Sequence, residues 1–122
     1  MALSKGRKYF EKLLKDENTE DLFEWLGKSD DISRNLGEMS PEESEALSAE
    51  LFSLGAEKVW ACDIERASDE FRYENSSTLC IALPTEASLR ENIFSFSNEI
   101  IEDQGFDPEE DKGQEFLLFS LD

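Results

Sequence analysis

The sequence predicts an α+β fold: helices at the amino end, then helix, strand, strand, helix, strand. A small three-stranded sheet, mixed or antiparallel, is expected to pack on the helices. Three observations predict it. Apolar residues recur at helical spacing in Leu47, Leu51 and Leu54, and again in Leu89, Ile93, Phe96 and Ile100. Between Glu57 and Ile64 the period falls to two. The chain then closes on the almost uninterrupted apolar run Phe116 to Leu121. At 122 residues, 39% of them hydrophobic, the chain reads as one domain with a core that needs no staple. Residues 1–38 are expected to form a helical extension packed on an α+β core of residues 40–122.

In order, residues 1–15 carry Lys5, Arg7, Lys8, Lys12 and Lys15 against the single acid Glu11, and read as a helix lying against an acidic body. Thr19 is positioned to cap a short helix bearing Leu22, Phe23, Trp25 and Leu26, which Gly27 ends. Polar residues 28–37 are expected to add one helical turn, since Ile32 and Leu36 lie four apart. Ser40-Pro41-Glu42-Glu43 is a sharper signal: Ser at N-cap, Pro at the first helical position and Glu at the third make a capping box. The helix it starts should run to Gly55, whose freedom at positive φ suits a helix stop.

Val59, Ala61 and Asp63 alternate with Trp60, Cys62 and Ile64 as a first strand, and charged residues 65–76 read as a loop. Thr78 to Leu83 is a second strand stopped by Pro84, which has no N–H to give a ladder. Thr85 should cap a long helix ending at Gly105, with Phe106 making the apolar contact of a Schellman motif. Asp107 to Gln114 is an acidic turn, and the final apolar run reads as a strand buried on both faces. From Ser40 onward this order resembles the ferredoxin-like βαββαβ pattern without its first strand, a resemblance of topology alone.

Composition narrows the chemistry. There is no His, so Ser-His or Cys-His nucleophiles and His-bound metals fall away, and no Walker, GxGxxG, GxSxG or HExxH motif occurs. No catalytic residue, metal or cofactor is expected. Cys62 and Cys80 sit in strand-like apolar segments and read as core thiols, while Trp60 and Phe94 read as core aromatics. The longest apolar run, Leu79 to Leu83, is far too short to span a bilayer, and residues 1–15 lack the apolar centre of a signal peptide; a cytoplasmic protein without membrane contact is expected.

The formal charge of −18, from 30 acidic and 12 basic side chains, is the strongest functional clue. Such a field repels nucleic acid and draws in cationic surfaces. The sequence therefore points to a non-catalytic protein that docks a basic protein surface, as an inhibitor, immunity-type partner or regulatory subunit would. Contacts are expected from Asp103 and the acidic turn (Asp107, Glu109, Glu110, Asp111), with Trp25 as a partly exposed aromatic. A homodimer paired through a sheet edge is a second reading. A carboxylate-based enzyme is a third: Asp63 and Glu65, two apart on the first strand, should share a sheet face about 7 Å apart.

Overall fold

The structure, a computed structural model, describes residues 10–121. After helical residues 10–14 come β1 (Glu20–Asp21), α1 (Leu22–Leu26), β2 (Ser33–Leu36), α2 (Pro41–Ser53), β3 (Lys58–Cys62), β4 (Tyr73–Ser76), β5 (Thr78–Ala82), α3 (Ala87–Asp103) and β6 (Phe116–Ser120). The fold is α+β, but the three-stranded sheet gains a strand and a companion. β1, β3, β5 and β6 form an antiparallel sheet in that order, and β2 pairs in parallel with β4. The ferredoxin-like order does not describe this arrangement. Lys5, Arg7 and Lys8 of the basic segment lie outside the described residues.

Register sorts the larger sheet into two faces. Val59, Ile81 and Leu117 align across three strands, as do Ala61, Leu79 and Phe119, and all six join one core with Leu47 and Leu51 of α2 and Ile93, Phe94 and Ile101 of α3. The opposite face carries Trp60, Cys80 and Leu118 in one row and Lys58, Ala82 and Phe116 in the next. Phe10 stacks on Phe116 there, with ring centroids 4.9 Å apart, so the amino-terminal helix approaches this back face. Trp60 is only half-buried, under Lys58, whereas Phe94 is core. β6 is an edge strand whose burial alternates. Leu118 is exposed, so the run is not buried on both faces as its composition suggests.

The helices follow their local signals with corrections at the ends. The Ser40 hydroxyl accepts from Glu43 N–H while the Glu43 carboxylate accepts from Ser40 N–H, the reciprocal box that starts α2. Asp21, not Thr19, caps α1 by accepting from Glu24 N–H, and Thr19 instead lies beside the Cys62 thiol. Glu86, not Thr85, is the first residue before α3, and it makes no side-chain cap. The buried line of α3 is Arg90, Ile93, Phe94, Ser97 and Ile101, rotated from the apolar stripe because Arg90 and Ser97 are buried with hydrogen bonds to Pro84 and Phe94 carbonyls. Phe106 N–H bonds to the Ile101 carbonyl in Schellman fashion, but its ring stays in solvent.

The smaller sheet is the feature least visible in the sequence. Residues expected to form a helical turn (28–37) and a loop (65–76) instead supply the parallel pair β2 and β4. Its buried side chains are Arg34, Leu36, Glu74 and Ser76, three of them polar. At the end of β2, Gly37 (φ +51°) gives its N–H to the Ser76 carbonyl, and a Cβ there would lie 2.7 Å from the Leu121 carbonyl oxygen. Only glycine satisfies both conditions.

Candidate functional site

Two polar regions and one groove carry the side chains that bear on function. The first is the ionic cluster under the parallel strands. Glu74 accepts from Trp25 Nε1 and Arg34 Nε, both at 3.0 Å, and from the Ala67 N–H at 3.3 Å. Arg34 also grips Asp30 with two bonds of 2.8 and 2.9 Å, and Arg66 reaches Glu20 at 2.6 Å. Burial acts to raise the Glu74 pKa, yet the donors from Trp25, Ala67 and Arg34 outweigh it and hold the carboxyl below its ordinary value. Hydrogen bonding to Arg34, with the Ile32 N–H in support, takes Asp30 down to about 2. With three donors on Glu74 and its pKa lowered, not raised, this carboxylate is not poised for acid–base work at neutral pH. Its role is to fix α1 on the parallel strands.

Trp25 is therefore a correction: it is completely buried, its indole N–H spent on Glu74, and it cannot meet a partner. Asp63 and Glu65 are a second correction. β3 ends at Cys62, Asp63 turns into the left-handed region (φ +49°), and Glu65 bridges to Asn75, so no continuous strand places the two carboxylates on one face. Both are exposed. Among the described residues no group of three or more Cys, Asp or Glu is placed to hold a metal ion.

The second polar region is the acidic turn. It is pinned to α3: Arg90 holds Asp111 with a 2.6 Å bond, and the Asn98 side chain gives to the Glu109 carbonyl and accepts from its N–H. Asp103, Asp107, Glu109 and Glu110 remain exposed on the tethered turn and the end of α3. Cys62 and Cys80 are buried free thiols on the back face, and burial pushes them up to about 11 and about 12, which keeps them protonated and inert.

The groove lies between α1 and α2. Leu22 and Trp25 turn α1 toward the core, leaving Phe23 on its outer side, 70% exposed. On α2, Glu45, Ser48, Ala49 and Phe52 recur at i, i+3, i+4 and i+7, a stripe beside the buried Leu47 and Leu51. Phe23 and Phe52 meet edge to face at 6.5 Å. These residues, with Asp21, Glu24, Leu26 and Gly27, line a groove of about 720 Å³. Among the described residues no Lys or Arg pairs with Glu24 or Glu45, while Asp21 is 4.0 Å from Lys58. The Ser48 hydroxyl, on the same stripe, is buried without a hydrogen-bond partner. None of the acidic-turn residues borders the groove.

The groove residues were open to sequence reasoning through one signal: Phe23 and Phe52 are large apolar side chains standing off the core stripes of their own helices. Comparison with protein-family models, with curated proteins and with solved structures yields no match. No helix among the described residues is long and apolar enough to cross a membrane.

Proposed function

We propose that this chain is a non-catalytic binding protein that docks a basic protein surface, in the manner of an inhibitor, an immunity-type partner or a regulatory subunit. The observation that carries the reading is the α1–α2 groove, where exposed Phe23 and half-buried Phe52 are flanked by Glu24 and Glu45, which pair with no Lys or Arg among the described residues. Protein-binding surfaces combine such aromatic anchors with a charged rim, and the rim sets encounter rate and partner choice. The net charge of −18 supplies long-range attraction of the matching sign. Glu74 and Asp30 are held by Arg34, whereas Glu24 and Glu45 at the groove pair with no Lys or Arg among the described residues and are the carboxylates placed to meet a cationic surface.

The test is retention of native lysate proteins on the immobilised full chain at low ionic strength, followed by a salt gradient. One basic protein, recovered in stoichiometric amount and eluting late, is the expected result. A diffuse set of basic proteins, all released by modest salt, would mean that the charge acts only as a solubility device.

A further inference from the structure

Resting on that reading, we propose that the α1–α2 groove receives a single amphipathic helical segment of the basic partner. A large apolar side chain seats against Phe23 and Phe52, and Lys or Arg one turn to either side meets Glu24 and Glu45. Three features of the groove select this occupant. Its two walls are helix faces, and the Glu45, Ser48, Ala49, Phe52 stripe offers the row into which a third helix lays its side chains at three- and four-residue spacing. Ala49 is the small position in that row, where the approaching backbone comes nearest.

Phe23 is held only at its edge by Phe52 and leaves most of its ring to solvent, an exposure that costs transfer free energy until an apolar group covers it. The rim then disfavours anionic occupants and favours cationic ones. Glu24 sits in the first turn of α1, and Glu45 on α2 bounds the other side, so an incoming helix meets negative charge on both flanks. Two copies of this chain, each strongly acidic, would repel across the same surface.

The experiment uses the full chain and two synthetic helix-forming peptides of equal positive charge. One carries Leu and Phe anchors at helical spacing, and in the other those anchors are Gln; binding is followed by fluorescence anisotropy. The anchored peptide should bind at least about tenfold more tightly than the Gln peptide. Phe23→Ala and the groove-filling Ala49→Arg should each remove about that factor, while Asp69→Asn with Glu70→Gln, an equal loss of charge elsewhere, should change affinity less than Glu24→Gln with Glu45→Gln. Ala49 is an exposed helix position, so the Arg variant keeps the fold even if Phe23→Ala loosens α1.

Equal binding of the two peptides, unaffected by Ala49→Arg, overturns the groove assignment while leaving a basic-surface protein intact, as does binding of neither. Spermine binding the groove more tightly than the anchored peptide, with the same response to Phe23→Ala, also overturns it, in favour of a small organic cation. Failure of the docking reading itself is read separately, from the lysate retention.

Discussion

Glu74 shows how a buried charge is kept. Its three donors come from Trp25, Arg34 and Ala67, and with side chains only 8% and 6% exposed, Glu74 and Arg34 are shielded from water. Glu74→Ala leaves the Arg34 Nε–H and the Trp25 indole N–H without their acceptor, while Asp30 still holds the guanidinium charge, so a loss of about 2–3 kcal/mol is expected in urea unfolding, and Glu74→Gln should lose less. Ser48 predicts the opposite sign. Replacing a buried, unpartnered hydroxyl with Ala, the best helix former, should raise stability by about 1 kcal/mol. The pH profile follows from the same residues. Glu74 and Asp30 titrate lower in the fold than in the unfolded chain, so their contribution is full above about pH 5 and is lost as pH falls through their lowered values, about 2 for Asp30. The thiols run the other way. Their folded pKa values are raised, so stability is full below about pH 8.5 and declines as pH rises through 11 and 12, a limb that Cys62→Ala with Cys80→Ala should flatten.

At the scale of elements, the two sheets meet where β2 ends. Gly37→Ala places a methyl against the Leu121 carbonyl at a positive φ, and a destabilisation of about 2 kcal/mol or more is expected by thermal melting, with the parallel pair loosened first. Which elements could be read from sequence depends on where their stabilising groups lie. The α2 start is legible because every atom of its capping box falls within four residues. β3 and β5 are legible because their buried positions are apolar. β2 and β4 are not: the inward residues Arg34, Glu74 and Ser76 are polar, and the bonds that bury them, Arg34 to Glu74 and Ser76 to Cys62, span 40 and 14 residues, so period two exists in burial but not in hydropathy. Trp25 is hidden for the same reason, since its acceptor is 49 residues away. The β6 run is apolar on both sides because its outer face looks toward Phe10 and the back face, a surface that composition alone reads as full burial.

For the whole molecule, charge is the dominant quantity. At −18 the folded chain repels itself, so added salt should raise the melting temperature through screening, provided the salt binds no specific site. Salt should have the reverse effect on partner binding. The candidate site illustrates what charge alone can and cannot locate. Net acidity points to a class of partner, but the densest acidic stretch in the sequence, Asp107 to Asp111, is fastened to α3 by Arg90 and Asn98 and has beside it the single exposed ring of Phe106 rather than a groove. The groove joins residues 21–27 to residues 45–52, and only folding brings its aromatic pair and acidic rim together. The most direct measurement is lysate retention on wild type and Ala49→Arg in parallel, each eluted with the same salt gradient. A single basic protein that elutes late from wild type and is missing from the variant is the predicted result; identical, diffuse profiles lost at modest salt would contradict the account.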